Sequence, residues 1–474
     1  MNRPPERFIA QAERLLGPRG FTRDPDLMKP WLTDWRGRYS GAAIGMASPA
    51  STAEVAALVR LCAESAVPIV PQGGNSGMSG GATPSPDGRS LLLSLRRMNA
   101  IRALDAAAGT IVCEAGVIQQ SLHVAAEGAG LRFPLTLGGK GSATVGGLIS
   151  TNAGGTQVLR HGSMREQVLG LEAVLADGSV WSALTPLKKD NRGIDLKHLL
   201  IGAEGTLGIV TAATLRLSPA PTARCVAWIG LSSLQQARSL LTALEASAGA
   251  ALEGFEVLPQ SCLDAVLAYL PDARSPLGAS HPWHALIELV GDAPALLAEQ
   301  LLADAAALLN DAVIAQSEAQ ADAFWLLRES ISPAERAKGP AMQHDIAVPV
   351  ALMADFVDAA VPAIEARWPG TRAFGFGHLG DGNVHFHVQA PPGSDRESWE
   401  ADAGKEISRA VHDLVSEWHG TISAEHGIGQ MKVAELVRLA DPVTLDLQRR
   451  IKQALDPQGL MNPGKLLARA ATTA

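Results

Sequence analysis

Glycine is unevenly distributed along this 474-residue chain, and the distribution limits what the first half can fold into. Residues 71–162 contain 18 of the 47 glycines, although they make up less than a fifth of the chain. The glycines cluster at residues 73–81, 137–147 and 152–156, and a fourth cluster follows at 201–210. Glycine permits turns with positive φ and lets backbone N–H groups approach phosphate oxygens. The clusters therefore favour a site for a large phosphate-bearing cofactor over unrelated tight turns.

The clusters do not contain the common phosphate-binding motifs. Gly141 follows Lys140, but the spacing and the next residue do not match G-x-x-x-x-G-K-[ST]. No G-x-G-x-x-G motif follows a first strand, so the sequence offers no nicotinamide fingerprint.

Composition excludes several functional classes. Hydrophobic residues make up 47% of the chain, which at this length predicts two or three folded domains. The net charge is −8 and no long Lys/Arg run occurs, which argues against nucleic-acid or anionic-membrane partners. No apolar run is long enough to span a membrane, and the first residues resemble an amphipathic helix rather than a signal peptide. The four widely spaced cysteines are typical of a reduced, cytoplasmic protein.

Helix-like and strand-like segments alternate along the chain and predict an α+β fold. Residues 51–66 have helical periodicity, with Thr52 as the expected N-cap. Pro219 and Pro221 mark a boundary, after which strands and helices alternate again, including a predicted helix at 294–309. We therefore expect domains at residues 1–219 and 220–430 and a helical C-terminal segment at 431–474.

The segment Phe374–Val388 predicts a β-hairpin. Asp381-Gly382 has the sequence of a two-residue type I′ turn between apolar runs. With that turn, His378 faces His385 and Phe376 faces His387, so both pairs share one face of the sheet.

A carboxylate near this hairpin in the fold would complete a metal site. Glu425 and His426 lie in the glycine-bounded segment SAEHGIG, between two helical patterns. Two histidines and one carboxylate commonly bind a divalent ion that keeps a position open for substrate. We therefore predict that His378, His385 and Glu425 bind metal; the alternative is a hairpin with unrelated histidines.

Several longer motifs resemble one flavoprotein family. The motifs are PQGGNSGMSGG, FPLTLGGKGSATVGGLISTNAGGT, RHGSMREQVLGLEAVLADG, KKDNRGIDLKHLLIGAEGTLGIVT, GHLGDGNVHFHV, EHGIG and LDPQGLMNPGK. They resemble the family of D-2-hydroxyglutarate dehydrogenase and flavin-type D-lactate dehydrogenase, a branch of the vanillyl-alcohol oxidase superfamily. They follow the family order from about Pro71 to Lys465.

The resemblance implies a two-part FAD-binding domain at 1–219, a ferredoxin-like substrate (cap) domain at 220–430, and a C-terminal segment that returns to the flavin. GGNSG contains no His or Cys for covalent attachment, so non-covalent FAD is expected. The implied cofactor-binding residues are Gly73, Gly74, Asn75, Ser76, Gly77, Pro134, Gly138, Ser142, Thr144, Gly147, Ala153, Gly154, Glu204, Gly208, Ile209 and Asn462.

The resemblance also implies roles for residues of the substrate site. Arg328 matches the arginine that binds the substrate carboxylate, and His426 matches the catalytic base. Ser332 falls where the hydroxyglutarate enzymes carry a hydroxyl residue. Gln343 replaces a lysine that reads the distal carboxylate of the substrate, and His387 replaces an asparagine. These two departures lie in the pocket and leave the choice between D-2-hydroxyglutarate and a D-lactate-like substrate open.

The expected reaction is the FAD- and metal-dependent oxidation of a D-2-hydroxy acid to its 2-oxo acid. Hydride goes to the flavin, the proton goes to His426, and the metal is zinc or manganese. Two alternatives are a flavin-free metal-dependent hydrolase and a non-catalytic flavin-binding subunit of a glycolate-oxidase-like complex. As partners the resemblance implies an electron acceptor, either electron-transfer flavoprotein or a quinone, and a second copy of the chain in a homodimer.

Overall fold

The structure, a computed structural model, describes residues 6–187, 189–293 and 311–468, together with residues 296, 299, 301 and 303. It divides into two compact units. Unit 1 comprises Met1–Gly155, His161–Ala220 and Glu425–Ala474, and unit 2 comprises Thr156–Arg160 and Pro221–Ala424. The main segment of unit 2 begins at Pro221, one residue after the predicted start of the second domain at residue 220. The second boundary lies after Ala424, whereas we expected it after residue 430, and the C-terminal segment, which we expected to return to the flavin, belongs to unit 1.

The described helices and strands have the following bounds. The α-helices are α1 (Glu6–Leu16), α2 (Pro25–Met28), α3 (Thr52–Glu64), α4 (Gln119–Glu127), α5 (Val145–Thr151), α6 (Val158–His161), α7 (Met164–Gln167), α8 (Lys197–Leu200), α9 (Leu234–Ser247), α10 (Gln260–Tyr269), α11 (Glu318–Glu329), α12 (Ile331–Lys338), α13 (Met353–Arg367), α14 (Arg396–Ala401), α15 (Ala403–Glu417), α16 (Val433–Leu439) and α17 (Pro442–Leu455). The strands are β1 (Phe21–Thr22), β2 (Met46–Ala47), β3 (Ile69–Gln72), β4 (Leu91–Ser94), β5 (Ile101–Asp105), β6 (Thr110–Glu114), β7 (Leu131–Arg132), β8 (Val168–Val174), β9 (Val180–Ala183), β10 (Ile209–Arg216), β11 (Ser218–Pro219), β12 (Ala223–Leu231), β13 (Leu252–Pro259), β14 (Trp283–Gly291), β15 (Asp311–Ile314), β16 (Ala341–Ala347), β17 (Arg372–His378) and β18 (Asn383–Gln389).

Unit 1 contains a small, mostly parallel sheet and a larger antiparallel one. The small sheet has the order β1-β2-β4-β3, with β4 parallel to both β2 and β3. Every residue of β4 is buried, as expected for a parallel strand covered on both faces. The five-stranded sheet has the order β5-β6-β10-β8-β9 and is antiparallel throughout.

Helix α3 closes one core of unit 1 through Val55, Leu58 and Val59. Its N-cap is Ser51, whose side chain accepts a hydrogen bond from the backbone N–H of Glu54 at 3.2 Å. The predicted cap at Thr52 is therefore wrong by one residue, because Thr52 already has helical geometry and Ser51 has the extended backbone that a cap requires.

Unit 2 is built on a seven-stranded antiparallel sheet with the order β15-β12-β14-β13-β17-β18-β16. Helices α9, α13 and α15 cover one face with a large apolar core. Helices α10, α11 and α12 pack a smaller core on the other face, which includes Phe374 and Phe376 of β17. Because side chains alternate along a strand, His378 lies on this second face as well.

The predicted hairpin forms, but its register differs from the prediction. His378 pairs with Asn383, Phe376 with His385, and Gly377 with Val384. The connection is therefore a four-residue turn, residues 379–382, and the predicted two-residue type I′ turn is wrong. The N–H of Gly382 donates to the carbonyl of His378 at 3.1 Å, which closes this longer turn. The register moves by two residues, so the histidines still share a face.

Two predicted helices also differ from what the structure describes. The helical pattern that runs from Glu397 to Trp418 is divided into α14 and α15 at Asp402, whose backbone leaves the helical region. The predicted helix at 294–309 lies largely outside the described residues. Among the described helices, none is both long and apolar enough to cross a membrane.

His284 lies in the core of unit 2 and makes its stability sensitive to acid. The indole N–H of Trp228 donates to its Nδ1 at 3.0 Å, and its Nε2 donates to Gln260 at 2.8 Å, so the ring is neutral. Burial, with a contribution from His281, lowers the pKa of His284 to about 4. An unfolded histidine titrates near 6.5, so the unfolded state binds the extra proton first as pH falls.

We therefore expect unit 2 to lose up to about 3 kcal/mol of stability between pH 6.5 and pH 4 through this residue. Thermal unfolding of the whole chain across that pH range measures the effect. His284→Gln should flatten the acid dependence, whereas His419→Asn, at an exposed histidine, should leave it unchanged. Equal acid slopes in His284→Gln and the unmodified chain would contradict the assignment.

Candidate active site

Residues 74–79 of unit 1 form a loop with free backbone donors. No backbone N–H group of this loop donates a hydrogen bond to any other residue that the structure describes. Asn75 holds a positive φ of 53°, and its side chain donates to the carbonyl of Thr33 at 2.8 Å. A run of unpaired N–H groups in a turn binds anions such as phosphate. Gly73, Gly74, Asn75, Ser76 and Gly77, all predicted from sequence, lie on or next to this loop.

A second segment packs directly against this loop. A Cβ on Gly73 would lie 2.2 Å from Thr144 Oγ1, and one on Gly74 would lie 1.7 Å from the carbonyl oxygen of Ser142. Thr144 also caps α5, accepting from the N–H of Gly147 at 3.4 Å. Beside Gly77, in contrast, a Cβ would meet no atom within 4 Å. The two segments thus make a narrow cradle with open space along it.

The other predicted cofactor residues lie near this cradle in the sequence or follow later in unit 1. Pro134 and Ala153 are buried, Gly154 is half-buried, and Gly138 is exposed. Gly208 directly precedes β10 and Ile209 begins it, and the Ile209 side chain packs into an apolar core.

Asn462 presents a buried acceptor that no described residue uses. Its side-chain nitrogen donates to the carbonyls of Gly81 at 3.0 Å and Glu204 at 2.7 Å. Those two bonds fix the amide orientation, and its Oδ1 is then buried without a partner. An orphaned buried acceptor indicates a missing donor. Together with the free N–H groups and the open cradle, it fits a large ligand that carries both phosphates and N–H groups, as FAD does.

Replacing Gly74 with alanine is expected to raise the Kd for FAD by at least about tenfold, or ~1.4 kcal/mol. The new methyl group would overlap the carbonyl of Ser142 and separate the two walls of the cradle. Flavin content after purification and FAD titration of the apoprotein measure this. Gly278→Ala, where a Cβ meets nothing within 4 Å, is the matched control. Unchanged FAD affinity in Gly74→Ala would contradict the cradle.

The segment that carries Glu425 and His426 is held rigidly within unit 1. The Glu204 carboxylate accepts the N–H groups of Ile428 at 2.7 Å and Gly429 at 2.8 Å. Burial raises the pKa of Glu204, and these two N–H groups oppose that rise. Ser79 Oγ contacts the carbonyls of His426 at 3.2 Å and Gly427 at 3.1 Å. Glu204, predicted as a cofactor contact, therefore uses its carboxylate to fix this loop.

In unit 2, Arg328 and His378 share one carboxylate. Oε2 of Glu256 accepts from Arg328 Nε at 2.7 Å, and Oε1 accepts from His378 Nδ1. Burial opposes ionisation of Glu256, but the charges of Arg328 and His378 outweigh it and hold its pKa well below the usual value. The Arg328 guanidinium also lies 5.2 Å from the centre of the Phe376 ring.

His385 is placed as a neutral imidazole beside His378. Their ring centres are 5.5 Å apart. Burial first, and then the charges of Arg328 and His378, lower the pKa of His385 well below its usual value. On the neighbouring strand β16, Asp345 pairs with His385 in register and is almost wholly buried. Two adjacent imidazoles with a carboxylate nearby are the donor set of a divalent metal site.

Gln343 and His387 lie opposite one another on β16 and β18. Nδ1 of His387 bonds to Glu335 at 2.7 Å, and the ring packs 5.0 Å from that of Phe376. The side-chain nitrogen of Gln343 is buried, and no described residue accepts a hydrogen bond from it. Ser332, in α12, is half-buried.

The structure thus gathers six of the predicted residues on unit 2 and the rest on unit 1. Arg328, Ser332, Gln343, His378, His385 and His387 belong to unit 2. Glu425 and His426 begin the last segment of unit 1, directly after Ala424. The N–H of Ala424 contacts the carbonyl of Asp345 at 3.4 Å, so the chain leaves unit 2 beside that residue.

Three acidic residues of this region were missed by sequence reasoning: Glu256, Glu335 and Asp345. Glu256 lies in the strand pattern LEGFEVLP, where a buried acidic residue is unusual. That pattern was a usable signal. Glu335 gave none, because acidic residues are common on exposed helix faces and its partner His387 is 52 residues away.

Family models match both parts of the chain. The FAD binding domain matches residues 43–183, and the C-terminal domain of FAD linked oxidases matches residues 220–466. These matches are incompatible with the flavin-free hydrolase considered from sequence.

Curated relatives resemble the chain over nearly all its length. The mitochondrial D-2-hydroxyglutarate dehydrogenase of Arabidopsis thaliana is 36% identical over 97% of this chain and 81% of that protein. The D-2-hydroxyglutarate dehydrogenase of Xanthomonas citri pv. viticola is 35% identical over 94% of this chain and 93% of that protein. A D-2-hydroxyglutarate–pyruvate transhydrogenase of Saccharomyces cerevisiae is 31% identical over 94% of this chain and 90% of that protein.

Solved structures with low sequence identity share the fold. An alkyldihydroxyacetonephosphate synthase superposes with a TM-score of 0.76 at 17% identity, covering 98% of this chain and 85% of that one. A p-cresol methylhydroxylase also gives a TM-score of 0.76, at 16% identity, covering 97% of this chain and 96% of that one. The α+β fold of vanillyl-alcohol oxidase type is therefore confirmed. This chain belongs to the FAD-linked oxidase family, in the branch of the D-2-hydroxyglutarate dehydrogenases, and is an FAD-dependent oxidoreductase.

Proposed function

We propose that the chain oxidises a D-2-hydroxy acid to the 2-oxo acid, with D-2-hydroxyglutarate as the first candidate substrate. The observation that carries this is the group around Arg328, where a carboxylate-binding guanidinium lies on the same sheet face as two adjacent histidines. The names of the relatives, which are D-2-hydroxyglutarate enzymes, support this substrate. FAD, when bound, would accept the hydride that leaves C2.

Arg328 binds the C1 carboxylate in this proposal. Its Nε is held by Glu256, and no described group pairs with either Nη. A guanidinium anchored at Nε keeps two parallel N–H groups for a bidentate carboxylate. Phe376 supports the plane of the guanidinium from one side.

His378, His385 and Glu425 hold a divalent metal, zinc or manganese. The carboxylate of Glu256 can only accept a hydrogen bond, so Nδ1 of His378 carries hydrogen and Nε2 is the ring atom that would bind the metal, in place of any proton there. His385 is neutral for the reason given above. Glu425 follows Ala424, which lies next to Asp345, the residue paired with His385. The metal, when bound, would lower the pKa of the substrate hydroxyl.

His426 accepts the proton of the substrate hydroxyl. Ser79 and Glu204 fix the backbone of its loop and so position the residue. Histidine is suited to this role because its pKa lies near neutrality.

Ser332, Gln343 and His387 read the far end of the substrate. Among the described residues none accepts a hydrogen bond from the buried amide nitrogen of Gln343, and His387 bonds to Glu335 through Nδ1, so that Nε2 could serve the substrate. These groups would bind the C5 carboxylate of D-2-hydroxyglutarate through hydrogen bonds, whereas D-lactate would leave them unpaired. Leaving buried polar groups unpaired strongly disfavours the shorter acid.

The electron acceptor, assembly and location are also proposals. Electron-transfer flavoprotein or a quinone would reoxidise the flavin, and the chain would act as a homodimer in the cytoplasm. The Arabidopsis thaliana relative is named as a mitochondrial protein, and the yeast relative is named as a D-2-hydroxyglutarate–pyruvate transhydrogenase. Pyruvate is therefore a third acceptor to assay.

Steady-state assays with an artificial electron acceptor test the proposal. D-2-hydroxyglutarate should give the highest kcat/KM in a panel with D-lactate, D-2-hydroxybutyrate and the L enantiomers, and 2-oxoglutarate should accumulate. Turnover restricted to L acids would overturn the function. A higher kcat/KM for D-lactate would overturn only the assignment of the distal pocket.

A further inference from the structure

Glu256 is a wholly buried carboxylate at the centre of the unit 2 site. It lies on β13 and pairs in register with His378 of β17, from which it is separated by 122 residues in sequence. Both of its oxygens are used, one by Arg328 Nε and one by His378 Nδ1. The two partners have different roles in the proposed function, since Arg328 would bind the substrate and His378 would bind the metal.

A carboxylate in this position has two geometric consequences. On Arg328 it occupies Nε, so both Nη groups remain for the substrate carboxylate. On His378 it keeps hydrogen on Nδ1, so Nε2 is the ring atom that would bind the metal. A carboxylate that binds a metal-binding histidine in this way fixes the orientation of the ring, makes the imidazole more basic and so raises its affinity for the metal.

We propose that Glu256 is a positioning residue that couples the metal site to the substrate-carboxylate site through one shared carboxylate. This inference rests on the proposed function, because it assumes that His378 binds metal and Arg328 binds substrate. A carboxylate with only a packing role would affect folding. A shared positioning role predicts that its loss weakens metal and substrate together while the protein stays folded.

Glu256→Gln separates these roles. A glutamine of the same size can offer its carbonyl oxygen to only one of the two donors, and its amide hydrogens would then face the N–H of the other. Glu256→Asp keeps the charge opposite Arg328 but is one methylene shorter, so it cannot reach both partners in the same geometry. It is the second variant if Glu256→Gln does not fold.

The matched control is Glu253→Gln on the same strand. Glu253 is also nearly buried, and it accepts hydrogen bonds from Arg160 at 2.9 Å and Gln157 at 3.4 Å. Glu253→Gln removes a buried carboxylate that pairs with an arginine and leaves Arg328 and His378 unchanged. Any effect common to Glu253→Gln and Glu256→Gln is therefore general destabilisation.

The experiment measures two affinities on the full-length holoprotein. Zn²⁺ affinity is obtained by dialysis against buffered zinc with elemental analysis, and 2-oxoglutarate affinity from the shift of the flavin absorption band. For Glu256→Gln we expect about a 10–100-fold weaker Zn²⁺ affinity and a 2-oxoglutarate Kd raised by about tenfold. Glu256→Asp should lie between it and the unmodified chain, and Glu253→Gln should match the unmodified chain in both.

The outcomes separate this inference from the proposed function. If the unmodified chain binds zinc and 2-oxoglutarate but both Glu256 variants do so equally well, the coupling is refuted and the function stands. Loss of only one affinity would also refute the coupling, since the shared carboxylate would serve a single partner. If the unmodified chain binds neither probe, the proposed function fails and takes this inference with it.

Discussion

Replacing His426 with alanine is expected to lower kcat by about 10²–10⁴-fold, the usual contribution of a general base. The variant should keep its FAD and its metal, because neither set of proposed ligands includes this imidazole. The loop itself should not collapse, because Glu204 holds Ile428 and Gly429, and Ser79 contacts the carbonyl of His426, all without the His426 side chain. The loss should therefore appear in kcat with little change in flavin content.

Three measurements on the same preparation check this expectation: kcat with D-2-hydroxyglutarate, flavin-to-protein ratio and metal content. His198→Ala is the control, since it removes a histidine of unit 1 from the exposed end of α8. Turnover of His426→Ala at close to the unmodified rate would rule out its role as the base. A variant that lost flavin as well would show that the imidazole supports the cofactor site instead.

Removal of the metal is expected to abolish nearly all activity and leave the protein yellow. The proposed FAD site consists of residues of unit 1, which include Gly74 in the cradle and Asn462, whose side chain donates to the carbonyl of Gly81. None of these residues is a proposed metal ligand. Without the ion, the site lacks the Lewis acid that would lower the pKa of the substrate hydroxyl, an effect worth several kcal/mol of transition-state stabilisation. Zn²⁺ or Mn²⁺ should restore turnover.

The ligand set also predicts which ions fail. Mg²⁺ prefers oxygen ligands and keeps its waters, so a site with two imidazoles should not be restored by it. His385→Asn should resemble the chelated protein and should not respond to added zinc. Full activity after exhaustive chelation, with elemental analysis showing no metal, would refute the metal's role.

The hairpin formed by β17 and β18 shows which features of the site the sequence could predict. Alternation of apolar and histidine positions predicted correctly which residues share a face, because that depends only on the two-residue period of a strand. The register was wrong because Asp381 Oδ1 accepts the N–H of Asn383 at 3.0 Å and Gly382 adopts a φ of 79°. The Asp-Gly pair thus ends a longer turn, a choice that the local sequence does not determine.

The missed carboxylates show a different limit. The partnership of Glu256 with Arg328 and His378 joins strand β13 to a helix and a strand 72 and 122 residues away. Local periodicity cannot place such residues together, because strand order in the sheet decides which neighbours they have. The glycines at 73 and 74 were predicted from their cluster in the sequence. The structure gives the physical reason for them, since the close approach of Thr144 and Ser142 leaves no room for a Cβ.

The most direct test of the account is anaerobic reduction of the bound flavin by single 2-hydroxy acids, with zinc or manganese supplied. It needs no electron acceptor and therefore isolates the proposed half-reaction from the acceptor. D-2-hydroxyglutarate should bleach the flavin absorption band and release 2-oxoglutarate, whereas L-2-hydroxyglutarate should do neither. A yellow, metal-loaded protein that no D-2-hydroxy acid can reduce would contradict this expectation.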